Sequence, residues 1–251
     1  MPAWLRLYVA FALCVTVACG SGGTDNDSTG TQAPPTARPP TEVPASPTPA
    51  ATPTPVPLRK DIQATRLSIP AIGLDAPVQR SETVPYVYVP PPGCPLRPDD
   101  TSTVTVPNQG IATPVENLEG LENKAWIYGH SRWLGVAGLL FRLQDLNPGD
   151  EVVVDGVERG TGERLERQKF VVDGLYLTDV DSGGTLINAT KPSEIPSKPQ
   201  VILQTSVRED GPGKQWILDR DKLLSKSKNL VQGDLNDTCK YLLLFVFATA
   251  A

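Results

Sequence analysis

Between Arg66 and Leu218 the apolar residues come in short runs, each bounded by Pro, Gly, Asn or Asp. Runs of that length, rich in β-branched and aromatic residues, read as strands rather than helices. They predict strands over Arg66–Ile69, Ala76–Gln79, Tyr86–Val89, Lys124–Tyr128, Glu151–Val154, Phe170–Leu177, Gln200–Gln204 and Gln215–Leu218. Asp150 and the pair Asp155-Gly156 bracket the Glu151–Val154 run with turn chemistry. Helical spacing occurs over Val136–Leu146, and Asn147-Pro148-Gly149 ends it. Eight short strands with one or two short helices predict an all-β domain, a closed eight-stranded barrel.

Two apolar runs lie outside this pattern. Arg6 precedes Leu7–Val17, a stretch too short for a lasting transmembrane anchor but suited to a signal peptide's h-region. It runs into Thr16-Val17-Ala18-Cys19-Gly20, where small residues before a cysteine resemble a bacterial lipobox. The expectation is a lipoprotein signal over 1–19, with Cys19 lipidated and holding the chain to a membrane. A plain secretory signal with a chance cysteine is the alternative. Residues 20–58 form a Pro/Thr-rich linker: Gly20 to Pro57 holds no aromatic residue, and ten of the 26 prolines fall between Pro34 and Pro57. Such a segment lacks the apolar surface to fold. As extended polyproline II, at about 3.1 Å per residue, it reaches roughly 120 Å. The folded domain is expected over 59–230, followed by a 231–251 tail. Tyr241–Ala251, apolar except for Thr249, falls short of a membrane span. An interfacial anchor, a strand packed on the domain and an artefact of the reading frame all fit it.

The formal net charge of −5 argues against a nucleic-acid partner. One histidine and scattered cysteines make no zinc ligand set, and there is no Walker or Rossmann glycine pattern. No cofactor and no metal are expected. Asp99-Asp100, and Asp179 with Asp181, lack calcium-loop spacing and read as solvated turns. Cys94, in the rigid Pro90–Pro95 loop, and Cys239 are free to pair in an exported chain. Their spacing leaves open whether Cys94 is a loop thiol or a disulfide partner.

Candidate chemistry rests on the single histidine. His130 ends the run Ala125-Trp126-Ile127-Tyr128-Gly129-His130, and Ser206 ends Val201-Ile202-Leu203-Gln204-Thr205-Ser206. A histidine and a small nucleophile at the ends of two strands is a frequent hydrolase or transpeptidase arrangement. Three stretches resemble sortases, in particular the class E/F type of Gram-positive and related bacteria. The first is Arg66 to Val78. The second is Ile127 to His130, running on through Leu140-Phe141-Arg142-Leu143 and Leu146 to Val152. The third is Val201 to Ser206 with Trp216-Ile217-Leu218.

The resemblance implies a sortase-type barrel presenting histidine, cysteine and arginine at one rim. It further implies an acyl transferase or peptidase acting on a peptide sorting signal of a cell-surface protein. His130 matches the family histidine, while Ser206 stands where the family has its catalytic cysteine. The arginine position falls on Lys214 or Gln215, and Arg208 is a second candidate cation. A serine needs His130 as a true general base, because no stable thiolate–imidazolium pair is open to it. The competing reading is a catalytically inactive, tethered sortase-fold lipoprotein that binds peptide or cell wall. Both place the domain outside the cytoplasm, at the cell surface.

Overall fold

A computed structural model describes residues 8–10, 61–86, 93–95, 101–116, 118, 120–179, 192–207, 216–227, 231–237 and 239–251. Eight strands form the main body: β1 (Ile62–Ile69), β2 (Leu74–Ser81), β3 (Ile111–Pro114), β4 (Lys124–Gly129), β5 (Glu151–Glu158), β6 (Arg164–Asp179), β7 (Gln200–Ser206) and β8 (Leu242–Ala250). Their order is β5-β1-β2-β3-β4-β7-β8-β6, and β6 pairs back onto β5, so the sheet closes into an eight-stranded barrel. The fold is all-β, with one α-helix, α1 (Arg220–Lys226), and short 3-10 turns among the described residues. Neighbours are antiparallel except β2–β3 and β4–β7. A separate small sheet joins Thr83–Tyr86 to Thr101–Thr105, and Thr101–Thr105 to Tyr8–Ala10.

Strand β2 shows the period-2 logic most simply. Leu74, Ala76 and Val78 are buried while Asp75, Pro77 and Gln79 are exposed, so one face meets the core and the other meets water. Strands β4, β7 and β8 are different, because both of their faces are covered. Ala125, Ile127, Val201, Leu203, Leu242, Leu244, Val246 and Ala248 point into the barrel core. Trp126, Tyr128, Ile202, Leu243 and Phe245 pack in a second apolar cluster on the outer side, with Val104 and Leu121.

That double burial corrects the reading of the C-terminus. The apolar run 241–251 is a barrel strand, hydrogen-bonded between β7 and β6, and the domain therefore does not stop at 230. A strand buried on both faces reads as a continuous apolar segment, which is why it imitates an anchor. Two further expectations are corrected. Val136–Leu146 is not a helix: Arg132–Trp133 and Val136–Ala137 form a tight hairpin, and Phe141–Asp145 is a 3-10 turn. Leu140, Leu143 and Leu146 are fully buried at intervals of three, the 3-10 period. Of the predicted strand Gln215–Leu218, the described residues Trp216, Ile217 and Leu218 form no strand either. Ile217 and Leu218 instead donate their backbone N–H groups to the Val207 carbonyl, at 2.8 and 3.1 Å. Of the run Tyr86–Val89, only Tyr86 is described, as the end of Thr83–Tyr86.

Two fasteners hold the barrel's surroundings. Lys226 Nζ donates to the carbonyls of Gln144, Asp145 and Leu146 at 3.0, 2.8 and 2.8 Å, pinning α1 to the 3-10 turn. Cys94 and Cys239 form a disulfide, with a Cα–Cα distance of 5.4 Å. It ties the segment leading into β8 to a loop 145 residues earlier.

Candidate functional site

Strands β4 and β7 run parallel, so they end at the same rim of the barrel. Their register pairs Gln200 with Lys124 and continues to Gln204 with Tyr128. Ser206 ends β7 two residues beyond that pair, and His130 directly follows the end of β4 at Gly129. Thr205 Oγ1 donates to the Gly129 carbonyl at 2.9 Å, locking the two strand ends together. Strand β8 starts at this rim, with Ser206 registered against Leu243, and β6 ends there at Asp179.

Ser206 is half-buried, and its Oγ lies 3.1 Å from Ser131 Oγ. His130 is 5% exposed, with its ring against Trp133 at a centroid distance of 4.6 Å. The hairpin that follows is wedged under it. Gly138 N–H donates to the Ser131 carbonyl at 2.7 Å, and a Cβ at Gly138 would run into the His130 carbonyl. Burial pulls the His130 imidazole down to about 4, so the ring is neutral at physiological pH. A neutral imidazole can accept a proton from a hydroxyl. No described residue hydrogen-bonds the His130 ring, and the Ser206 hydroxyl is engaged by Ser131.

The outer apolar cluster reaches the ends of β4 and β7. It includes Tyr128, Ile202, Leu243 and Phe245, and Trp126 Nε1 donates to Gln204 Oε1 at 3.0 Å. Burial pushes the Tyr128 phenol well above its ordinary value, so it is no base at neutral pH. Among the described residues no group of His, Cys, Asp and Glu could hold a metal ion, and no helix is long and apolar enough to cross a membrane.

The chain is similar to solved sortases. Sortase C-1 from Streptococcus pneumoniae is 15% identical at a TM-score of 0.39, over 74% of this chain and 66% of its own. A lid mutant of sortase A from Corynebacterium diphtheriae is 17% identical at a TM-score of 0.38, over 81% and 74%. Sortase C2 of the Group B Streptococcus pilus island 1 is 13% identical at 0.39, over 74% and 72%. The chain thus spans just under two thirds of the length of the pneumococcal enzyme. No family model and no curated protein matches the sequence.

Of the residues singled out from sequence, His130 and Ser206 come to one rim. Arg208, Lys214 and Gln215, along with Cys19, lie outside the described residues. Two rim residues were not anticipated. Ser131 is the partner of Ser206. Lys240 precedes β8, its Nζ 3.1 Å from Asp179 Oδ2, a carboxylate 1% exposed that also accepts from Asp234 N–H at 3.1 Å. The cue for Lys240 was its position directly before the apolar run. Once that run is a strand beside β7, its preceding cation falls at the rim of Ser206.

Proposed function

We propose that this protein is a sortase-like, surface-tethered acyl transferase or peptidase that uses Ser206 as nucleophile and His130 as general base on an extended peptide. The observation that supports it most is the β4–β7 register, which sets a half-buried hydroxyl and a neutral histidine at one rim. In this reading Ser206 Oγ attacks a peptide carbonyl while His130 takes its proton. The amine leaves with that proton, and an acceptor amine or water then opens the acyl-enzyme. Lys214 and Arg208, in the stretch after β7, are candidate cations for the developing oxyanion, and a serine replaces the cysteine of class E/F-like sortases. The disulfide fits an oxidising compartment. It accords with export, lipidation at Cys19 and display of the barrel at the cell surface on the 20–58 linker.

The test incubates the full chain with a peptide library and a nucleophilic amine. Mass spectrometry would then read cleaved, amine-capped products and an acyl adduct on Ser206. Expected are products that disappear in both Ser206→Ala and His130→Ala. Absence of any product, or products indifferent to both substitutions, sinks the catalytic reading. The second reading, a peptide- or wall-binding module without catalysis, has one observation in its favour: Ser206 is hydrogen-bonded to Ser131 rather than to His130. Peptide binding that survives Ser206→Ala, in a protein without turnover, would select it.

A further inference from the structure

Ser131 has no place in the alternation of β4, yet it is fully buried, at 0% exposure. Its backbone carbonyl is held by Gly138, and its neighbour His130 is held by Trp133. Its side chain therefore sits at the root of a braced hairpin and has little freedom. The hydroxyl's described partner is Ser206 Oγ at 3.1 Å. A buried hydroxyl left unpaired is costly, so this bond persists. Each hydroxyl has one proton and two lone pairs. Ser206 can offer its proton to His130 only when Ser131 is the donor of their shared bond. With the opposite polarity the Ser206 proton points away from any base.

We propose, resting on the reading of Ser206 as the nucleophile, that Ser131 is its positioning residue: the Ser131 hydroxyl donates to Ser206 Oγ, aims that oxygen across the rim and stabilises the negative charge that grows on it. A fixed donor at the attacking oxygen gains strength as charge develops, because a hydrogen bond to an anion is roughly twice as strong as one to a neutral acceptor. The hydroxyl is in place before substrate arrives, held by the packing of the hairpin root.

The test needs no substrate. In the full chain carrying Ser206→Cys, the pH dependence of iodoacetamide alkylation gives the pKa of the introduced thiol. Mass spectrometry of the peptide bearing position 206 keeps Cys14 and Cys19 out of the signal. Adding Ser131→Ala is expected to raise that pKa by about one pH unit, so alkylation near pH 7 slows by about tenfold. The rise is expected to persist in His130→Ala, since the donor is Ser131. An unchanged or lowered pKa overturns the proposal. Should Ser131→Ala loosen the fold by circular dichroism, Ser131→Thr and Ser131→Val repeat the comparison at equal bulk. Threonine should keep the low value and valine lose it; equal values for the two overturn the role. Peptide turnover is a separate readout. Its absence removes the proposed function whatever the thiol shows, while an unmoved thiol pKa with intact turnover removes only the role of Ser131.

Discussion

Protonating His130 should cost the folded protein about 3 kcal/mol, and the dependence can be isolated because the chain has one histidine. In the fold its imidazole titrates near 4, since burial penalises the charged ring, whereas the unfolded chain keeps the ordinary value of 6.5. The gap of roughly 2.5 pH units, at about 1.4 kcal/mol each, sets the magnitude. Between those values the unfolded chain binds a proton that the folded chain refuses. Stability is therefore full above about 6.5, declines as pH falls towards 4, and levels below it. The perturbation is His130→Asn, which keeps a polar side chain and removes the titration. Urea unfolding of both proteins at several pH values between 4 and 7 cancels the carboxylates they share. The expected result is a gap between the two that closes in the variant's favour by about 3 kcal/mol from pH 7 to pH 4. In protein purified without a histidine tag, the single imidazole can also be followed by NMR, with a midpoint near 4. A midpoint near 6.5, or a gap that does not move with pH, would refute the claim that the ring is buried and neutral.

Ending the chain at Leu230 should abolish the fold. Leu242, Leu243, Leu244, Phe245 and Val246 are all under 5% exposed. At about 1.5–3 kcal/mol per side chain their burial is of the order of 10 kcal/mol, comparable to a domain's whole net stability. Circular dichroism and thermal melting decide it, and a cooperative transition in the truncated chain would contradict the placement of β8. Reducing Cys94–Cys239, or replacing both with serine, reopens a loop of 145 residues, for which chain entropy predicts a loss of up to about 5 kcal/mol. The urea midpoint with and without reductant measures it, and equal midpoints would mean that the crosslink contributes nothing.

The barrel was legible in sequence where one strand face meets water or where turn residues bracket a run. Glu151–Val154 between its aspartates and Ala76–Gln79, with Pro77 and Gln79 in water, are examples. Short strands such as Ile111–Pro114 carry too few residues for any periodicity to register. The Tyr241–Ala251 run stayed open between anchor and strand for the opposite reason: all but Thr249 are apolar because a second cluster covers the outer face, and period-2 alternation vanishes. Val136–Leu146 failed because a three-residue spacing of leucines passes for a helical stripe over one turn. Gly138, which helps build the hairpin, lies inside that window, and Gly135 directly precedes it. For the site, the strand-end positions of His130 and Ser206 and the sortase resemblance of the stretches around them brought the two into one frame. Neither had the means of revealing Ser131 or Lys240, whose relevance depends on the hairpin root and on the strand that follows.

The histidine's electrostatics bear directly on the serine. A thiolate–imidazolium pair requires a histidine that stays charged at the working pH, so its folded value must lie above neutrality. The burial of His130 against Trp133 drives it the other way, and no carboxylate among the described residues opposes that. A hydroxyl makes a different demand. It is deprotonated within the reacting step, and the base must be neutral beforehand. His130 meets that condition from about pH 5 upward. In the proposed reaction the low value has a cost, because a weak base pulls less strongly on the proton, and the remaining stabilisation then has to come from donors at the attacking oxygen. Ser131 is the described residue in that position. A thiol introduced at position 206 would find no pre-charged imidazole beside it, so any depression of its pKa that depends on Ser131 measures the contribution of that hydroxyl directly.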